Sequence, residues 1–180
     1  VYISLTDQRI GTEGKFIGLR NYLELFSSSS FWGMMGFTLI YVGSTIVLKL
    51  VWGMIMALAL NQPLKGRDLY RALLFLPWAL PTLTSVLAWR WMLGDVGGIV
   101  NYGLLQLGLI DRPLGWLGDP ALARFSVILV NVWRGAPFFG ISILSALQAI
   151  PDYLYEAALI DGASSWQAFR RITLPAIQNV

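Results

Sequence analysis

From Phe37 to Leu60 the chain runs through twenty-four residues with a single charge, Lys49. As an α-helix this stretch measures roughly 36 Å, more than the roughly 30 Å hydrocarbon core of a bilayer. The pattern predicts a tilted membrane-spanning helix over 37–60. An ammonium at the middle of such a helix costs about 2.5–3.5 kcal/mol on insertion scales, so Lys49 should face a protein interior or a wet cavity. A carbonyl or carboxylate on a neighbouring helix would satisfy it as well as a role in transport would. Gly43 and Ser44, with Gly33 and Gly36 just before the stretch, offer small surfaces on which helices pack in lipid.

Two further segments are long enough to cross. The one over 70–93 contains Pro77 and Pro81, which a membrane helix tolerates where neighbours or water satisfy the freed carbonyls, so a kinked helix is expected. Trp89, Arg90 and Trp91 at its far end read as an interface anchor with a snorkelling arginine. The segment over 125–147 carries Arg134, Gly135 and Pro137, the pattern of a broken or kinked helix with a buried cation, a common way to build a binding site at depth. Between them, Gly94 to Ala121 is glycine-rich, and its apolar part, Ile99 to Ile110, is too short to span and should lie at the interface or dip partway. At the start, Val1 to Leu5 reads as the tail of a helix outside the sequence, and Asp7 to Ser30 as an exposed loop with one amphipathic turn near Asn21 to Phe26. The chain thus reads as a single partial domain, truncated at both ends, without a signal peptide.

Composition narrows the chemistry. Charged residues make up 13% of the chain, against about 25% in soluble domains. Eight Trp and seven Tyr suit the aromatic belts at membrane–water interfaces. With no Cys there is no disulfide framework or thiolate metal site, and with no His the commonest general base and metal ligand is missing. Hydrolytic chemistry is not expected, and no cofactor or metal site is read. The net charge of +3 is spread along loops, which gives nucleic-acid binding no support. No P-loop is present, so any ATP and Mg²⁺ that drive the system belong to another subunit.

The most specific stretch lies near the end, Ile150 to Pro175. Pro151 suits a first helical position, and Asp152 and Glu156 put negative charge near the positive end of the helix dipole. Gly162 can take the left-handed conformation that ends a helix, and Ser164 with Gln167 has the form of a capping box that starts the next. In that second helix Trp166, Phe169 and Ile172 or Thr173 share a face until Pro175 interrupts.

Glu156, Ala157, Ala158, then Gly162, then Ile172, Leu174 and Pro175 reproduce the EAA, three residues, G, nine residues, I-x-LP pattern. On these residues the chain resembles the membrane subunits of binding-protein-dependent ABC importers, and IPDYLYEAALIDGASSWQAFRRITLP is most similar to the sugar branch, of the maltose or sn-glycerol-3-phosphate type. The resemblance implies an all-α polytopic transmembrane bundle of the permease type, multi-pass in a prokaryotic inner or plasma membrane. It implies a cytoplasmic coupling loop over 148–175 that meets an ATP-binding cassette ATPase dimer through Glu156, Ala157, Ala158, Gly162, Ala163 and Phe169. It also implies a second permease subunit around a shared path and an extracytoplasmic solute-binding protein. The solute cavity is implied at Asn131, Trp133, Gly135 and Phe138, to which Lys49 is added as a buried cation. An aromatic face packs on the C–H surface of a pyranose, and Gly135 leaves room for close approach; Arg134 leaves room for an anionic solute.

Loop charge does not fix the orientation. Lys65, Arg67, Arg71, Arg170 and Arg171 fall on one side, and Arg9, Lys15, Arg20, Arg112 and Arg124 on the other. The resemblance places 148–175 in the cytoplasm and therefore 7–30 and 94–121 outside. Two rival readings are a membrane scaffold that uses the hairpin only to bind a partner, and a secondary transporter. The absence of Asp and Glu from the three apolar segments weakens a proton-coupled carrier.

Overall fold

The computed structural model describes residues 2–9, 11, 13–62 and 65–178, and among these every regular element longer than an isolated bridge is helical. The chain divides into two compact units, Val1–Gly43 and Ser44–Val180.

In the first unit the apolar start is a single 3-10 turn, Tyr2–Leu5, rather than the tail of an α-helix. Thr6 pairs with Phe16 in an isolated antiparallel bridge, and the Asn21 amide donates to the Ser4 and Thr6 carbonyls at 2.9 Å each. The expected amphipathic turn is a full helix, α1 (Arg20–Ser27). The end of the expected loop, the run of serines from Ser27 to Ser30, is mostly helical: α2 starts at Ser29 and continues to Asn61, with only Ser28 extended between the helices. Ser27 turns its hydroxyl onto the Leu23 carbonyl, the local satisfaction that lets serine sit at a helix end.

In the second unit, α3 (Arg67–Ala79) follows Gly66, whose φ of +76° is left-handed. The expected single kinked helix over 70–93 is instead two helices, α3 and α4 (Thr82–Met92), that meet at 91°. Leu80 takes an extended ψ of 139° because the following proline ring disfavours helical geometry there. Pro77 stays inside α3, so the break belongs to Pro81 alone. At 1.5 Å per residue each half is roughly 20 Å or less and crosses only as part of the pair.

After α5 (Ile99–Gln106), α6 runs from Pro120 to Gln148. Asp119 caps it, accepting from the Ala121 and Leu122 amides at 2.9 Å, with proline at the first position, where a missing N–H costs nothing. Pro137 lies within one continuous helix, so α6 is not broken there. The helices α2 and α6 are each long and apolar enough to cross a membrane. Large side chains such as Leu39, Ile46 and Val47 of α2 are exposed, as expected of helices whose solvent is lipid or a partner.

Small residues do bring spans together, and the close crossing falls at a glycine other than Gly33, Gly36 and Gly43. A Cβ at Gly33, Gly36 or Gly43 would meet nothing within 4 Å, whereas one at Gly53 of α2 would lie 2.7 Å from the Phe139 Cβ of α6. Around this crossing sits the core: Ala57 and Leu60 of α2, Ile143, Leu144 and Leu147 of α6, and Ile150 beyond it. Ile177 of α9 (Leu174–Ile177) completes it, with Phe75, Tyr155 and Ile172 packed on its edge.

Candidate functional site

The core holds one end of the bundle, and the 150–175 segment is built directly onto it. Its first helix, α7, spans Asp152–Ile160 with Pro151 as the N-cap, so the helix starts one residue later than expected. The chain leaves α7 through Gly162 at φ +75°. The Ala163 amide donates to the Ala158 carbonyl at 2.9 Å, and the Gly162 amide to that of Leu159 at 3.1 Å. This paired 6→1 and 5→2 arrangement is the Schellman motif, which satisfies carbonyls a helix end would otherwise leave open.

The next helix, α8 (Ser165–Ala168), starts from the expected capping box. Ser164 accepts from the Gln167 amide at 3.3 Å, and the Gln167 side chain accepts from the Ser164 amide at 2.7 Å. Pro175 does not stop the helical path. The chain passes through a π turn, Phe169–Thr173, and continues into α9 with Pro175 in its first turn. Widening to i→i+5 bonds, as from the Leu174 amide to the Phe169 carbonyl, absorbs the donor that proline lacks.

Of the residues expected to meet an ATPase, Ala158, Gly162 and Ala163 line one cleft of about 310 Å³ between α7 and the second helical arm, with Gln167 and Arg171 on its far wall. Glu156 and Ala157 are exposed on α7 and are not among the cleft residues. Phe169 is half-buried and stacks on Trp166, ring centroids 5.5 Å apart at 22°, while Trp166 stays 68% exposed. The hydroxyls of Tyr155 and Thr173, 3.0 Å apart, tie α7 to the π turn. The small-residue wall, exposed aromatic and cationic rim form a surface a partner can grip.

The residues expected around a solute do not share one setting. Lys49 and Gly135 come together: a Cβ at Gly135 would lie 2.5 Å from the lysine Cε and 3.0 Å from Nζ, so the glycine makes room for the lysine stem. Arg134 is the neighbouring residue on α6, its Nε shielded from solvent and without a hydrogen-bond partner among the described residues. Trp133 and Phe138, five residues apart, point about 140° apart around α6 and reach different cavities. Trp133 meets Trp89 edge-on at 5.3 Å and lines an apolar cavity of about 450 Å³ with Trp52, Met56 and Pro77. Phe138 stacks with Trp78 at 6.0 Å and lines one of about 520 Å³ with Leu50, Met54 and Leu174. Asn131 is half-buried.

Sequence reasoning missed Asn101, 3% exposed in α5. Its amide donates to the Gly94 and Leu114 carbonyls at 3.3 and 3.0 Å, and its carbonyl accepts from the Leu114 amide at 3.1 Å and the Trp116 indole at 3.0 Å. Ser126 then donates to the Trp116 carbonyl at 3.1 Å, pinning the 94–116 connection to α6. One asparagine in a glycine-rich loop carries no distinguishing signal.

Apolar helices that cross closely at glycine, a broken span and an exposed helical hairpin define an α-helical, multi-pass membrane component. The chain belongs to the family of binding-protein-dependent transport system inner membrane components, whose profile matches residues 49–180. It is 42% identical over 168 residues to the trehalose/maltose transport system permease protein MalF of Thermococcus litoralis, covering 93% of this chain and 56% of that protein. It is 37% identical to the inner membrane ABC transporter permease protein YcjO of Escherichia coli K12, covering 93% and 58%. Among solved structures it is similar to a bacterial ABC transporter involved in import of the acidic polysaccharide alginate, with a TM-score of 0.81 at 31% identity, covering 90% of this chain and 57% of that one. The chain thus spans a little over half the length of these relatives.

Proposed function

We propose that this chain is part of the membrane-spanning permease subunit of an ATP-driven, binding-protein-dependent importer for sugars or sugar derivatives, in a prokaryotic inner membrane. The observation that carries this reading is the 152–173 hairpin. It is built onto the core shared by α2 and α6, yet it turns outward a cleft of small residues beside the exposed Trp166. A partner that moves the hairpin therefore moves two spans. An ATP-binding cassette dimer is the fitting partner, since this chain has no P-loop and ATP with Mg²⁺ would reside in that dimer. A second permease subunit would cover the exposed apolar faces of α2 and α6. A solute-binding protein would deliver solute from the other side, as in the alginate transporter solved with its oligosaccharide-bound periplasmic protein. The sugar assignment is supported by the names of the relatives, which include trehalose/maltose and maltodextrin permeases.

The mechanism is that of a bistable bundle. The nucleotide state sets the ATPase geometry, the hairpin follows as a rigid body through its capped turn, and α2 and α6 change their arrangement around the path. The test is uptake by the full-length protein reconstituted with its partner subunits, with ATP hydrolysis recorded alongside. Uptake of labelled disaccharide that requires both ATP and the binding protein supports the reading. Uptake driven by an ion gradient without ATP overturns it.

A further inference from the structure

We infer that Lys49 and Arg134 form a site for an oxyanion group, carboxylate or phosphate, carried by the transported solute. This rests on the permease reading above and names a class of solute for it. The geometry comes first. Lys49 lies against Gly135 so closely that any side chain there would displace its Cε, which sets the lysine stem against the residue next to Arg134. The Nε of Arg134 is shielded from solvent and finds no hydrogen-bond partner among the described residues. A buried donor left in that state is costly, and a charged one more so.

The segments that carry and surround this pair hold no anion of their own. No Asp or Glu occurs from Leu69 to Gly94, within α2, or from Pro120 to Pro151. The ion pairs Arg20–Glu24 and Arg71–Asp68 involve neither cation. A second copy of these segments would bring no carboxylate either, whereas an anionic group on the solute would neutralise the pair. The planar guanidinium can donate two N–H groups edge-on to a carboxylate or phosphate, and the ammonium adds a point charge from the facing helix. Two cations on opposing helices α2 and α6, the pair that the hairpin moves, would bind such a group in one arrangement of the bundle and release it in another.

The test uses the full-length protein in its assembled complex. Uptake is compared for a labelled disaccharide and the same disaccharide carrying a carboxylate at C6, in wild type, K49Q, R134Q and the charge-keeping R134K. The expected result is that the ratio of acidic to neutral uptake falls at least about tenfold in K49Q and R134Q, the loss of one charge-assisted hydrogen-bonding partner, and recovers largely in R134K. An unchanged ratio in both neutral variants overturns the proposal and leaves the permease reading standing. So does a loss of the paired permease from R134Q in detergent with the ratio unchanged, which would assign the cations to a carboxylate of that partner. If the wild-type complex takes up neither sugar, the sugar reading fails, and the site is read directly by retention of labelled uronate on the solubilised complex. Retention in wild type that is lost in R134Q supports it, and equal retention overturns it.

Discussion

Gly53 of α2 lies directly against Phe139 of α6, where an added Cβ would stand 2.7 Å from the phenylalanine Cβ and 2.9 Å from the Gly140 amide nitrogen. Backbone that near cannot yield as a flexible side-chain tip would. Gly53→Ala should therefore push the helices apart and lower stability by about 1–3 kcal/mol, the usual cost of overpacking. Gly36→Ala meets nothing within 4 Å and should be neutral or gain up to about 1 kcal/mol from helix propensity. Thermal unfolding of the two variants of the full-length protein in detergent decides it. Equal midpoints would remove Gly53 as the packing point.

Asn101 closes the connection between α4 and α6 with four hydrogen bonds from one side chain. Asn101→Ala leaves the Leu114 amide and the Trp116 indole without their acceptor, a cost of about 1–3 kcal/mol for buried groups. Asn101→Asp should be worse, since a carboxylate would face the Gly94 and Leu114 carbonyls. Hydrogen exchange over 94–119 should accelerate in both variants while α6 beyond Ser126 keeps its protection. Unchanged exchange in that segment would mean the loop is held by other contacts.

The features legible in the sequence are those set by local chemistry. Gly162 announced a left-handed turn, Ser164 with Gln167 a capping box, and the long apolar run around Lys49 a membrane helix; each depends on residues a few positions apart. What escaped depends on the partner helix. Gly33, Gly36, Gly43 and Gly53 look alike in the sequence, and only the approach of Phe139 distinguishes the last. Pro77, Pro81, Pro137 and Pro175 look alike too, yet only the residue before Pro81 goes extended, while a π turn accommodates Pro175. Trp133 and Phe138 sit in one short motif, but helical rotation sends them to separate cavities.

The hydroxyl pair of Tyr155 and Thr173 links α7 to the π turn, with Thr173 only 5% exposed. Tyr155→Phe and Thr173→Val should each destabilise, and a double-mutant cycle should return a coupling of about 0.5–1.5 kcal/mol. If the link also transmits partner motion, Tyr155→Phe should weaken the stimulation of ATP hydrolysis by solute more than it weakens basal hydrolysis. A coupling energy near zero would show that the two arms are held by the core around Ile150 and Ile177 instead.

Gly162 joins the two arms, and its φ of +75° is a conformation that a β-branched residue adopts only under strain. The space around it is open: an added Cβ would meet nothing within 4 Å. Any cost within the chain is therefore one of backbone conformation, of about 1–3 kcal/mol, and any further cost is contact with a partner. Gly162→Val combines the two and should leave the protein inserted while abolishing ATP-driven uptake. Gly162→Asn separates them, because asparagine tolerates the left-handed region yet still projects a side chain into the cleft beside Ala158 and Ala163. If turn geometry alone matters, Gly162→Asn should keep most of the uptake that Gly162→Val loses. If the cleft seats a partner, both variants should fail in uptake and in co-purification of the ATPase. Wild-type uptake and stimulated hydrolysis in Gly162→Val would refute a role for the turn altogether.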